Sequence, residues 1–307
     1  MSTKHVFDDA TGLVEKACLG VASTNPDLRF FAHHKVLYNA AHPRDKVAIL
    51  AGGGAGHEPA FSGLVGSGLV TVAVSGDVFA SPSSKQICSG VDLAPTDKGI
   101  VTIVLNYTGD CLNFGLASEK ARSAFHSEGK GRDIEMVNVG DDVSVGRSKG
   151  GLVGRRGLTG AAFTAKVLGA ASEKGDDVQK IAHLGRTMVK NFVTVGSSLD
   201  HCHVPGRSTD PKERGALSQS AVEIGMGIHN EPGAKHIENK PSGEDLIKEM
   251  LELLLREDDP ERSFVKFNKD DDPVLIINNL GGMSSIELGA IAAEARTQIE
   301  RDWNLRL

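Results

Sequence analysis

The sequence predicts an α/β protein of two lobes, a first lobe on a largely parallel sheet and a smaller α/β second lobe. Three observations predict it. Four apolar, β-branched runs alternate with helix-like stretches through the first half of the 307 residues, and such alternation builds a parallel sheet covered on both faces. The 36 glycines exceed the usual share of about 7%, and they cluster behind those runs. A polar, loop-forming stretch at 205–220, PGRSTDPKERGALSQS, then separates a second set of elements.

Taken in order, the runs KVAIL (46–50), LVTVAV (69–74), IVTIVL (100–105) and IEMVNVG (134–140) read as buried strands. A helix over CLNFGLASEKARSAF follows the third. Beyond the polar stretch come a strand at VEIGMGI (222–228), a helix opening at PSGEDLIKEMLELLL, and strands at FVKF and PVLIINNL. The last helix opens at SSIELGAIAAEARTQI, where Ser284 and Glu287 fit a capping box. Leu288, Ile291, Ala292, Ala295 and Ile299 mark its apolar face. The expected lobes are 1–190 and 191–307, the second truncated at its C-terminus.

Composition narrows the function. Net charge is -6, no basic stripe is present, and the chain has one Trp and two Tyr, which argues against a nucleic-acid surface. Cys18, Cys88, Cys111 and Cys202 show no CxxC spacing and read as free thiols in a reducing compartment. The start MSTKHVFDDATG lacks the apolar core of a secretory signal. No apolar run approaches the ~18 residues of a membrane span. A cytoplasmic protein without membrane contact is expected.

Ligands of open parallel sheets sit beyond the carboxyl ends of strands. That rule selects His57 in AGGGAGHEPA, Asp110 in NYTGD, and Asp141 and Asp142 in GDDVSVG. The glycine loop at 52–56 is not a nucleotide loop. In GxxxxGK spacing the second glycine falls on His57 or Glu58, and in GxGxxG spacing the last falls on His57. Glu58 at a helix entrance would repel phosphate, and Pro59 fits a first helical turn. The loop is therefore expected to hold a small polar ligand with little negative charge. A second glycine-and-histidine stretch, EIGMGIHNEPG, carries His229; histidine serves as acid, base, metal ligand or carbonyl nucleophile. Bland readings stand beside these. Asp110 reads equally as a helix N-cap, and Asp141 and Asp142 as turn residues. Arg155 and Arg156 read as solvated arginines, and His201-Cys202-His203 lacks a fourth metal ligand.

Together GGGAGHEP, SGDVFASPSSKQI, NYTGD, GDDVSVGR with VGRRGL, SSLDHCHVPG, GMGIHNEPG and VLIINNLGG resemble the K domain of the ATP-dependent dihydroxyacetone (glycerone) kinases, the fungal enzymes in particular. The resemblance runs from about residue 20 to the C-terminus. It implies a two-lobed K domain that holds dihydroxyacetone or glyceraldehyde as a hemiaminal on a histidine, here His229. Gly54, Ala55, Gly56 and His57 would surround the substrate hydroxyls. His57 and Asp110 would exchange protons, Asp110 as a base near the reacting hydroxyl. ATP and Mg²⁺ would bind on a separate L domain, to which no part of this sequence is similar, so no cofactor is expected on this chain and no kinase activity from it alone. A homodimer is implied. One position departs: the lysine of the family's KNYTGD is Leu105 here, which puts a substrate contact in doubt. Intact Gly54, His57, Asp110 and His229 favour a kinase part. Leu105 and the missing L domain favour a keto-triose-binding or regulatory protein, and a truncated gene product is the third reading.

Overall fold

The computed structural model describes residues 3–129, 131–150 and 153–307. Met1 and Ser2, at the start of the stretch read for a signal, lie outside the described residues, as do Gly151 and Leu152, between GDDVSVGR and VGRRGL. The described chain clusters into two units. One comprises Asp9–Gly140 and Gly160–Val189; the other comprises the described residues of 1–8, Asp141–Thr159 and Lys190–Leu307. Each is taken by itself below.

The first unit carries six strands: β1 (Leu28–Phe31), β2 (Val36–Asn39), β3 (Ala48–Ala55), β4 (Val72–Val78), β5 (Ile100–Leu105) and β6 (Ile134–Val139). Their order is β1-β2-β4-β3-β5-β6. The ladders β3/β4, β3/β5 and β5/β6 are parallel, while β1/β2 and β2/β4 form an antiparallel edge. All six residues of β5 are buried, as an apolar run flanked by strands on both sides requires. The helices of this unit are α1 (Leu13–Ser23), α2 (Ser84–Leu93), α3 (Thr108–Glu128), α5 (Gly160–Glu173) and α6 (Val178–Lys190, its last residue in the other unit); α4 (Arg147–Gly150) belongs to the second unit. Helices α2 and α3 bury Ile87, Val91, Phe114, Ala117 and Phe125 against the sheet. A Ser83–Gln86 capping box starts α2.

This topology positions a site. From β3 the chain passes to β4 on one side and later to β5 on the other. The reversal opens a crevice at the carboxyl end of β3, where the glycine loop lies.

The second unit holds a small antiparallel sheet, β7 (Ser197–Ser198), β8 (Val222–Ile224) and β9 (Lys235–Ile237). Its helices beyond residue 190 are α7 (Pro211–Arg214), α8 (Gly243–Leu255) and α9 (Ser285–Asp302). The Ser284–Glu287 capping box forms as expected. Ile247, Leu251, Ala295 and Ile299 are buried between α8 and α9, whereas Ala292 is exposed.

Four local expectations are corrected. FVKF and PVLIINNL belong to no strand: Leu275 and Ile277 pack on the α8/α9 cluster, while Val274 and Ile276 stay 69% and 42% exposed. The strand expected over 222–228 stops at Ile224, because Gly225 takes φ +82° and turns the chain. No α-helix begins at Pro59; the chain turns through 58–61 into a single 3₁₀ turn at Ser62–Leu64. The stretch 205–220 is loop except for α7, capped by the Asp210 side chain. Among the described residues, no helix is long and apolar enough to cross a membrane.

Candidate functional site

In the first unit, three strand ends meet around the glycine loop. The β3/β4 ladder shifts register between Gly53 and Ala55, a bulge that re-aims the chain beyond it. Glycine is required in the loop because another chain segment lies against it. A Cβ on Gly54 would sit 2.8 Å from the Ala80 backbone nitrogen, and one on Gly56 (φ +102°) would sit 2.6 Å from the Phe79 ring. Phe79 in turn donates its N–H to the Ala55 carbonyl at 2.9 Å and stacks on the His57 imidazole, centroids 5.0 Å apart and planes 9° from parallel. His57 is thus held flat and 8% exposed. The Glu58 carboxylate accepts the Gly56 N–H at 2.9 Å, so it closes the loop instead of guarding a helix entrance.

Asp110 stands in the first turn of α3, where the positive end of the helix dipole lies. It is 4% exposed. The N-cap is Tyr107, with no side-chain cap, so Asp110 does not serve as the N-cap. A Cβ on Gly53 would approach the Asp110 carboxylate oxygens to 3.9 and 4.0 Å: the absent side chain keeps β3 open toward that carboxylate. Ser81 Oγ lies 2.7 Å from where a Gly109 Cβ would be, and Asn113 donates to the Pro82 carbonyl at 2.9 Å, tying the segment after β4 to α3. The structure therefore gathers Gly53–His57, Phe79, Ser81 and Asp110 at the carboxyl ends of β3, β4 and β5. Leu105 ends β5 opposite Val139 and is 7% exposed. Burial, helped by Asp110, pushes the Cys111 thiol up, which keeps it protonated and a poor nucleophile.

Sequence reasoning missed Phe79 and Ser81, although SGDVFASPSSKQI contains both. The strand-end rule that found His57 and Asp110, applied to β4, would have found them.

His229 lies in the second unit, in the loop between β8 and β9. The Gly227 N–H donates to the Glu231 carbonyl at 2.9 Å, closing the loop. Asn230, at φ +65°, accepts the Cys202 N–H at 2.8 Å and donates to the Cys202 carbonyl at 2.9 Å. One Glu231 oxygen lies 2.9 Å from His229 Nδ1, and the other accepts the His229 N–H at 2.9 Å. Burial alone would raise the Glu231 carboxyl, but the hydrogen bonds from the His229 ring and backbone outweigh it and bring it to about 2.

The remaining candidates have structural employment within the same unit. Asp141 accepts the Leu158 N–H at 2.7 Å and the Thr194 hydroxyl at 2.6 Å. Asp142 pairs with Arg156 at 2.7 Å; burial pushes its carboxyl up, against the pull of Arg156. Arg156 also donates to the Gly225 carbonyl at 2.7 Å, bracing the turn after β8. Arg155 reaches the Phe192 carbonyl at 2.9 Å and packs over the Phe264 ring at 4.3 Å. These arginines are part-buried and brace the fold, unlike the solvated arginines expected. His201 Nδ1 lies 3.2 Å from the Arg214 carbonyl, and the His203 ring stacks on His5. Among the described residues, no group of three or more His, Cys, Asp or Glu is placed to hold a metal ion.

With this geometry in hand, known proteins supply the comparison. A model of the Dak1 domain matches residues 19–306. The dihydroxyacetone kinase of Pichia angusta is 43% identical over 316 residues, covering 100% of this chain and 51% of that protein. The chain thus spans about half the length of the curated relatives it matches. The crystal structure of the dihydroxyacetone kinase from C. freundii in complex with AMP-PNP and Mg²⁺ superposes with TM-score 0.83 at 30% identity, over 98% of this chain and 53% of that one. A dihydroxyacetone kinase operon co-activator, Dha-DhaQ, superposes with TM-score 0.68 at 30% identity, over 77% of this chain and 69% of that one.

Proposed function

Because the chain belongs to the Dak1 domain family, we propose that it is the substrate-holding K domain of a dihydroxyacetone (glycerone) kinase. It takes dihydroxyacetone or glyceraldehyde as a hemiaminal on His229 and presents a hydroxyl for phosphorylation. ATP and Mg²⁺ are bound by an L domain, in cis or in trans, and the K domain is a homodimer. The observation that carries this reading is the family match over 19–306, within which His57 and Asp110 stand at the strand ends of one crevice. Similarity to kinases, one of them solved with AMP-PNP and Mg²⁺, supports the phosphoryl donor.

The roles follow from the chemistry of each group. An imidazole lone pair on His229 adds to the carbonyl carbon, which rejects glycerol and other polyols without a carbonyl. The covalent bond also fixes the reacting hydroxyl, and phosphoryl transfer depends mostly on such positioning. Asp110 removes the proton of that hydroxyl; His57, held flat by Phe79, exchanges protons as acid and base. Gly54, Ala55 and Gly56 offer backbone to the substrate hydroxyls. The test is phosphorylation of dihydroxyacetone followed by ³¹P NMR. Turnover is expected with a purified L domain and MgATP; turnover by the chain alone, or none with the L domain, would contradict the proposal.

Two observations favour a second reading, a keto-triose-binding or regulatory protein: the similarity to the co-activator and Leu105 in place of the family's lysine. Dihydroxyacetone binding that persists with no phosphorylation beside an active L domain would select it.

A further inference from the structure

We infer that Glu231 is a positioning residue for His229: it holds the imidazole as the Nδ1–H tautomer and so makes Nε2 the nitrogen that carries the lone pair. The inference about the tautomer concerns the ligand-free chain. Its consequence for carbonyl capture rests on the function proposed above.

The geometry leaves little choice of tautomer. Glu231 grips its neighbour twice, one carboxylate oxygen on the His229 backbone N–H and the other on the ring Nδ1, both at 2.9 Å. An ionised carboxylate has no proton to donate, and hydrogen bonding to His229 keeps this one ionised far below neutral pH. The proton of the Nδ1–Glu231 bond therefore resides on Nδ1. In a neutral ring the lone pair is then on Nε2, because the partner of one ring nitrogen decides the state of the other.

The surrounding sequence is built to permit this grip. Glu231 folds back only two residues onto His229, across a turn in which Asn230 adopts φ +65° and is clamped through its amide to Cys202. Gly227 makes room: a Cβ there would stand 2.1 Å from the Glu231 carboxylate. The spacing G-x-H-N-E at 227–231 thus reads as a unit. Gly227 leaves the space, Asn230 makes the turn and Glu231 orients the ring.

Carbonyl capture by this ring balances in atoms and charge. Nε2 donates its lone pair to the carbonyl carbon and an Nε2–C bond forms. The C=O π pair moves to oxygen, which takes one proton from water. The ring becomes cationic and keeps its Nδ1–H, donated to the Glu231 carboxylate, which is its counter-charge. The net change is addition of the neutral ring to carbon and of one proton to oxygen, which leaves a cationic ring paired with Glu231. Glu231 thus contributes both the tautomer and a counter-charge for the cationic ring.

The test is the ¹⁵N resonance pair of the His229 ring in the ligand-free full chain, assigned by its loss in His229→Asn. The expected state is a protonated Nδ1 and a lone-pair Nε2. Glu231→Gln, whose amide oxygen still accepts from Nδ1–H, should keep that tautomer, while Glu231→Ala should give a mixture or the Nε2–H form. A wild-type ring in the Nε2–H form, or a tautomer unmoved in Glu231→Ala, would overturn the inference. Retention of dihydroxyacetone should fall roughly 10–100-fold in Glu231→Ala, the usual effect of losing a group that orients a histidine. If the tautomer is as stated but wild-type chain forms no adduct, the function proposed for His229 fails and the role of Glu231 in the ring stands.

Discussion

The two units hold their candidate residues by different means. In the first, backbone sets the positions of His57 and Asp110: parallel ladders fix where β3 and β5 end, and buried apolar side chains lock α3, on which Asp110 stands. In the second, His229 follows a three-residue strand and is placed by side chains, Glu231 on the ring and Asn230 on the Cys202 backbone. A site of the first kind fails when the core fails. A site of the second kind fails when one orienting side chain is truncated, with the fold intact.

The sharpest break of that contrast acts on chemistry. Asp110→Asn should lower dihydroxyacetone phosphorylation beside an L domain by roughly 10²–10⁴-fold, the usual share of a general base. Thermal unfolding separates this from misfolding. Next comes the core beneath the site. Phe114, fully buried against the sheet, should cost about 3–5 kcal/mol on truncation to alanine, measured by urea unfolding, and His57 and Asp110 should lose their placement with it. The carboxylate side of the comparison is tested by acid. Glu231 lies below its ordinary 4.5 in the folded chain, at about 2, so folding discourages its protonation. Its stabilising contribution is complete above pH 4.5 and drains as pH falls toward 2. Unfolding scans over that window should show a smaller loss in Glu231→Gln than in the wild type; parallel curves would contradict the account. Leu105→Lys should tighten dihydroxyacetone binding by calorimetry if the family's cation contacts substrate; an unchanged affinity means leucine is tolerated. The smallest effect belongs to the unpaired stretch after residue 272. Ile276→Ala should shift stability by no more than about 1 kcal/mol, because the side chain is already 42% exposed.

That last position explains what was legible in the sequence. IVTIVL and PVLIINNL are equally apolar and β-branched, yet the first is a buried strand and the second pairs with nothing among the described residues. Residue type reports affinity for a pleated, half-buried surface. It does not report whether a neighbour strand is present. In the first unit α2 leads from β4 to β5 and α3 from β5 to β6, so composition and topology agree there. In the second, α8 and α9 cover one face of the stretch, and among the described residues no strand covers its edges. The candidate site was legible where backbone makes it: His57 and Asp110 follow from strand ends and glycines. Phe79, whose ring the His57 imidazole needs, and Glu231, whose grip depends on the turn at Asn230, act through side-chain geometry. Spacing alone does not reveal that geometry. Asp142 shows the converse: the strand-end rule selected it, and it is a buried carboxylate paired with Arg156.

The central claim, that His229 captures a triose carbonyl, is tested most directly by ¹³C NMR of dihydroxyacetone labelled at its carbonyl carbon, with the chain in excess. The account predicts that the ketone resonance is replaced by that of a tetrahedral carbon, and that His229→Ala restores the ketone. A ketone unchanged beside the wild-type chain, or a tetrahedral carbon that survives His229→Ala, would contradict it.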